Sequence, residues 1–163
     1  MNNSNIYIVM GVSGCGKSTI SQLLANTLDL PYFDGDDFHP EENVFKMSKG
    51  HPLNDEDRQA WLIALNELAI NHINKGAIIA CSALKEKYRD ILRKSINDEI
   101  KFIYLEGTFD EINQRMQARK GHFMPAGLLK SQFETLEPPK TAIKVSIVGT
   151  PEEIVQNILK QVY

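Results

Sequence analysis

Residues 11–18 read Gly11-Val12-Ser13-Gly14-Cys15-Gly16-Lys17-Ser18, a complete match to G-x-x-x-x-G-K-[ST]. Glycines at this spacing let the backbone bend until successive N–H groups point inward, a concavity suited to phosphate oxygens. A helix starting at Lys17 adds the positive end of its dipole to the same place. In such a loop the lysine, here Lys17, bridges the β- and γ-phosphates, and the hydroxyl of Ser18 ligates Mg²⁺. The stretch from Gly11 to Thr19 is therefore the expected nucleotide cradle.

Mg²⁺ also wants carboxylate help, and the candidates are Asp34 and Asp36 in Asp34-Gly35-Asp36. Alternate residues of an extended segment project to one side. Two carboxylates are thus expected to face the crevice beyond the strand ends, where open α/β sheets bind ligands. Asp34 is assigned to the metal. Asp36 is assigned to a substrate hydroxyl, which it can orient or deprotonate. Arg58, Lys85 and Arg89 can surround a small anion, since guanidinium forks bind carboxylates in two-point fashion. Arg115, Arg119, Lys120 and His122 lead into a polar, glycine-bearing stretch and can act from a flap that closes over ATP and excludes water. His39 follows the acidic turn and is expected to orient it or to line the substrate pocket. Trp61 falls on an apolar stripe and reads as core, and His72 reads as surface.

These groups need a frame. Ile6–Met10 is almost wholly apolar, as suits a parallel strand covered on both faces. Similar short runs recur at 30–33, 77–81, 100–105 and 145–148. Helical patterns lie between them, at 17–28, from Asn54 or Asp55 to about Ala69, at 85–95, 109–119 and 130–136, and a last one opens at Pro151-Glu152-Glu153. Strands alternating with helices predict a three-layer α/β/α fold, a parallel sheet between helices, in one domain spanning 1–163 with a lid at about 118–130.

Other nucleotide-binding classes fit less well. Asn74-Lys75-Gly76-Ala77 lacks the aspartate of the guanine-reading N-K-x-D signature and precedes a strand instead of following one. The third strand ends Ala80-Cys81-Ser82, without the acid that motor ATPases place there. A net charge of −3 with both signs interspersed argues against a nucleic-acid partner. Cys15 and Cys81 lack metal-ligand spacing and read as reduced thiols. No apolar run approaches the roughly 18 residues of a membrane span, and Met1–Asn5 lack the pattern of a signal peptide. The expectation is a cytoplasmic protein with no membrane partner.

Beyond the phosphate loop, several blocks resemble the gluconate kinases (gluconokinases) of the shikimate-kinase and adenylate-kinase-like group. They are Asp34-Gly35-Asp36-Asp37-Phe38-His39-Pro40, Asn43 with Lys46-Met47, and Pro52 to Arg58 leading to Trp61-Leu62. Cys81-Ser82-Ala83-Leu84-Lys85 with Tyr88-Arg89-Asp90, Gly121-His122-Phe123-Met124 and Gln132 to Glu137 complete the set. The resemblance spans nearly the whole chain and implies a five-stranded parallel sheet, a lid and, frequently, a homodimer. It implies phosphorylation of D-gluconate on its 6-hydroxyl with ATP and Mg²⁺, Asp36, His39, Arg58, Ser82, Lys85 and Arg89 being the substrate-side residues. It further implies that Arg115 packs on adenine, that Arg119 and Lys120 act from the lid, and that Gln132 reaches substrate or lid. Cys15 departs from the serine frequent in the family, at a position where backbone amides do the binding. A kinase for shikimate or a nucleoside monophosphate is the nearest alternative, and a nucleotide-binding regulator without transfer chemistry a more distant one.

If Lys17 stabilises the transferred phosphoryl group, Lys17→Ala lowers turnover by about 100-fold or more while leaving the fold intact. Turnover and circular dichroism of the variant check this, and wild-type turnover would overturn the phosphate-loop assignment.

Overall fold

The computed structural model describes residues 5–118 and 126–162, and at its centre lies β1 (Ile6–Met10), buried at all five positions. Successive side chains of a strand face opposite sides, so β1 serves two layers. Tyr7 and Val9 join one core with Ile20 and Leu24 of α1 (Lys17–Leu28) and Ile154, Val155 and Ile158 of α7 (Pro151–Val162). Ile6, Ile8 and Met10 join the other, with Trp61, Leu62 and Leu65 of α3 (Asp55–Asn71) and Tyr88 and Leu92 of α4 (Glu86–Leu92). Burial on both faces is why the strand reads as an unbroken apolar run.

The sheet has five parallel strands in the order β2-β3-β1-β4-β5, where β2 is Tyr32–Asp34, β3 Ala77–Ala80, β4 Ile100–Glu106 and β5 Ile143–Ser146. Ile6 stands level with Ala77 on one side and Ile100 on the other. The α/β/α kinase architecture expected from the alternating pattern is thus the observed one. The remaining helices are α2 (Glu41–Ser48), α5 (Phe109–Ala118) and α6 (Ala126–Thr135).

Helix starts follow local chemistry. Asn54 and Asp57 form a reciprocal capping box, Asn54 Oδ1 accepting from Asp57 N at 2.8 Å and Asp57 Oδ2 from Asn54 N at 3.0 Å. Thr108 and Glu111 do the same for α5, and Pro151 with two acids opens α7. The edge strand β5 lies earlier than the apolar run 145–148 suggests, because pairing with β4 ends at Glu106–Ser146 and Val148 is 62% exposed. His72, expected at the surface, instead caps α3 and sets its ring edge-on to Phe33 at 4.9 Å. Among the described residues no helix is long and apolar enough to cross a membrane.

Arg89 needs correcting. The sequence put it beside a small anion, but its side chain is 1% exposed. Its guanidinium donates to Ala83 O (2.7 Å), Glu137 O (2.7 Å) and Glu86 Oε2 (3.1 Å). It ties the segment after β3 to the chain leaving α6, because a buried cation must find acceptors on every side. Arg89→Leu removes the donors to the carbonyls of buried Ala83 and of Glu137 and is expected to destabilise by about 3 kcal/mol, read as a lowered denaturation midpoint with an unchanged slope. A variant as stable as wild type would remove this structural role.

Candidate active site

The chain leaves β1 at Gly11, whose φ of +148° belongs to the region that side chains rarely enter. A Cβ there would lie 2.8 Å from Cys15 Sγ and 3.1 Å from Leu105 O, so this turn requires glycine. Gly11 N donates to Ser82 O at 3.3 Å, joining the loop to the segment after β3. Gly16, with φ +97°, is the N-cap of α1 and supplies no side-chain cap. The first helical bond is Ile20 N to Gly16 O at 3.0 Å, so the N–H groups of Lys17, Ser18 and Thr19 lie ahead of the helical ladder. Those bare donors and the dipole behind them suit phosphate oxygens. Lys17 Nζ reaches back to the carbonyls of Gly11 and Val12, 3.0 Å from each, and so lies across the loop. Ser18 and Thr19 are exposed at its rim.

Two loop amides are committed elsewhere. Cys15 N donates to Val12 O at 3.3 Å, and Ser13 N donates to Gln132 Oε1 at 2.7 Å. Gln132 therefore meets the loop in this structure, a contact beyond the substrate or lid expected of it.

The acidic turn also differs from its expected form. β2 ends at Asp34, and Gly35–Phe38 winds into a single 3-10 turn, so Asp34 and Asp36 do not project from one extended segment. The cause is local: Asp34 Oδ1 accepts Asp36 N at 3.0 Å and caps the turn. Gly35 passes so near β3 that a Cβ would meet Ala80 O at 2.4 Å. Trp61 holds the turn from below, its indole N–H donating to Gly35 O at 2.7 Å. The tryptophan is core, as expected, and also a support for the acids.

His39 stacks on Trp61 with ring centroids 4.1 Å apart, and its side chain is 5% exposed. Asn43 Nδ2 donates to Asp57 O at 2.8 Å and has its second hydrogen for His39 Nδ1 at 3.3 Å, which leaves the ring proton on Nε2, 3.9 Å from Asp36 Oδ1. Burial lowers the pKa of His39 below its ordinary value, and Asp36 opposes that fall. Asp36 itself is raised, first by partial enclosure and then by Asp34, while His39 and Lys17 pull it down. Water still reaches this carboxylate, whose side chain is 84% exposed, and screens the rise. Lys17, Asp34, Asp36 and His39 thus share one electrostatic neighbourhood.

Beside it, Arg58 donates to Tyr88 Oη at 3.2 Å and lies near enough to His39 to lower its pKa further. Lys85 Nζ is 3.2 Å from Asp55 Oδ1, and Lys87 and Tyr88 also donate to that carboxylate. These three hydrogen bonds, that from Lys87 first, hold Asp55 well below the usual carboxylate range. Two of the three expected anion-side cations, Arg58 and Lys85, therefore meet at Tyr88, each 5.6 Å from its ring centroid. Asp55 and Tyr88 were not singled out as functional from sequence. Lys85 is the N-cap of α4 and Tyr88 lies in its first turn, while Asp55 opens α3, so only the fold brings the three together. Arg115 donates to Ile147 O beyond β5. Arg119, Lys120 and His122 lie outside the described residues.

Among the described residues no three His, Cys, Asp or Glu form a self-contained metal cage. The donors present, one hydroxyl and one or two carboxylates beside a phosphate loop, suit Mg²⁺, which keeps waters and takes ligands from nucleotide phosphates.

Known proteins share this fold. The model of the shikimate kinase family matches residues 13–162. The chain is 49% identical over 154 residues to the thermoresistant gluconokinase of Escherichia coli (strain K12), covering 91% of this chain and 87% of that one. It is 41% identical over 181 residues to the probable gluconokinase of Mus musculus, covering 98% of each. The crystal structure of a gluconokinase from Sinorhizobium meliloti 1021 superposes with a TM-score of 0.90 at 40% identity, over 98% of this chain and 92% of that one. Shikimate kinase from Aquifex aeolicus superposes at 0.64 with 18% identity, a likeness of fold alone. Fold and loop together define a P-loop kinase acting on a small acceptor. The chain belongs to the shikimate kinase family, and within it to the gluconokinases.

His39 gives the site a measurable acid sensitivity. Unfolded, it takes up a proton near 6.5, which the folded chain resists, so its contribution to stability is present above that pH and is lost as pH falls below it. Denaturation midpoints between roughly pH 7 and pH 5 should fall less steeply for His39→Gln than for wild type. An equal or steeper fall would contradict a buried neutral ring.

Proposed function

We propose that the protein transfers the γ-phosphoryl group of ATP to the 6-hydroxyl of D-gluconate, giving 6-phospho-D-gluconate and ADP. The observation that carries the chemistry is the continuity of Lys17, Asp36, His39 and Arg58, each within electrostatic reach of the next. The acceptor follows from relatives named gluconokinase that align along almost the whole chain.

In this reading the loop from Gly11 through Val12, Ser13, Gly14, Cys15 and Gly16 to Thr19 cradles the nucleotide, and Arg115 borders its base. Ser18 and Asp34 hold Mg²⁺, which when bound neutralises charge on the phosphate oxygens. Phosphoryl transfer passes through a loose transition state, so positioning and charge neutralisation supply most of the acceleration. Lys17 stabilises charge spreading onto the transferred group. Asp36 aims the acceptor hydroxyl, and His39 and Trp61 hold Asp36 in place. Arg58 and Lys85, with Ser82, take the polar groups and carboxylate of the sugar acid. A lid carrying Arg119 ahead of α6 excludes water, which prevents wasteful hydrolysis.

The test is ADP release from Mg-ATP by purified protein with D-gluconate, shikimate, glucose or AMP as acceptor. Strong release with D-gluconate, with phosphate on its C6, is the expected outcome. If D-gluconate is inert and another acceptor works, the kinase reading survives and the acceptor assignment fails.

A further inference from the structure

Gln132 spends both ends of its carboxamide on one residue of the phosphate loop: Oε1 accepts Ser13 N at 2.7 Å, and Nε2 donates to Ser13 Oγ at 2.9 Å. The two residues are 119 positions apart. The next loop residue is gripped as well. Gly14 has φ +82°, and a Cβ on it would fall 2.6 Å from Met116 Cγ and 3.2 Å from Ile112 Cγ2, both on α5. The two helices that flank segment 119–125 therefore each hold one residue of the loop. They also hold each other, Phe109 of α5 meeting Phe133 of α6 edge-on at 5.8 Å.

The far end of α6 is fixed on the acceptor side. Glu137 N donates to Leu84 O at 2.8 Å, Glu86 N donates to Glu137 Oε1 at 2.7 Å, and Arg89 donates to Glu137 O at 2.7 Å. Leu129, 1% exposed, anchors the helix in the core between these ends. A short helix pinned to the phosphate loop by Gln132 and to the acceptor segment just past its end transmits position between the two.

We propose that Gln132 is a positioning residue for the nucleotide: by clamping Ser13 it sets the phosphate loop in register with the acceptor segment. This rests on the kinase reading and replaces direct substrate contact as the role of Gln132. A substrate-contacting residue and a loop-positioning residue differ in what they change. Removal of the clamp loosens a loop whose donors must be in place before the nucleotide arrives, so nucleotide affinity falls. Removal of a substrate contact raises the KM of the acceptor instead.

The experiment measures Mg-ADP binding by calorimetry without acceptor, so its outcome is independent of acceptor identity, and then steady-state kinetics. Gln132→Ala is expected to weaken Mg-ADP about tenfold, as befits two hydrogen bonds, and to raise the KM for ATP while the KM for D-gluconate holds. Ser13→Ala should weaken binding severalfold in the wild-type background and have almost no effect on Gln132→Ala, because its side chain acts through the same clamp. Unchanged Mg-ADP affinity, or additive effects of the two substitutions, would overturn the proposal. A raised KM confined to D-gluconate would return Gln132 to the substrate. Melting temperature is recorded for each variant; if Gln132→Ala fails to fold, the Ser13→Ala arm decides, and unaltered Mg-ADP affinity there rejects the clamp.

Discussion

At the carboxyl end of β1 the chain leaves the first N–H groups of α1 without a helical acceptor or a side-chain cap. An unpaired donor away from water is costly, so this end stays open to solvent, with Ser18 and Thr19 exposed. The donors can wait in place only if the loop before them is held from outside. That holding is done from every layer: Ser82 after β3 takes Gly11 N, Lys17 closes on the carbonyls of Gly11 and Val12, and α5 and α6 brace Gly14 and Ser13. Parallel order puts all the strand ends on one edge, and β1 between β3 and β4 brings these supports within reach.

The acidic turn obeys a similar constraint at the neighbouring strand end. A 3-10 turn after β2 fits only because Gly35 offers no Cβ to Ala80 O. The turn keeps its shape because its carbonyl meets the Trp61 indole and its Asp36 amide meets Asp34. Trp61 in turn carries His39, and Asn43 fixes that ring against the first turn of α3, where Lys46 bridges to Asp57 at 2.6 Å. The Asp36 carboxylate is thus exposed while His39 and Trp61, packed beside its turn, are buried, an arrangement that leaves the acid open to solvent without loss of order.

How much of this the sequence disclosed depended on the range of the interaction. β1, the loop, α1 and, to within a residue, the start of α3 were legible, because apolar runs, glycine spacing and a capping residue at Asn54 or Asp55 are local signals. The phosphate donors follow from the same local pattern. The Asp34–Asp36 geometry was misjudged because an aspartate that caps its own turn competes with strand extension, and alternation cannot register that. Arg89 was misread, and the contact of Gln132 with Ser13 went unread, for a different reason. Their partners, Glu137 and Ser13, are distant in sequence, and nothing in an arginine's neighbours says whether it faces water or two carbonyls.

That distinction decides which cations are free to recognise an anion. Arg89 is enclosed, and drawing it toward a ligand would strand the carbonyls of Ala83 and Glu137. Lys85 is held by Asp55 in a bridge that keeps 28% and 41% of the two side chains exposed, and such bridges are worth about 1 kcal/mol or less. Asp55 retains Lys87 and Tyr88 as donors if Lys85 departs. Lys85 can therefore part from Asp55 at little cost, because Asp55 stays paired with Lys87 and Tyr88. Arg58, which gives one N–H to Tyr88 and has further donors in its fork, completes the pair. Of these cations Lys85 is thus held by an exposed carboxylate and Arg58 by a tyrosine hydroxyl, and the buried arginine beside them keeps the frame on which they sit.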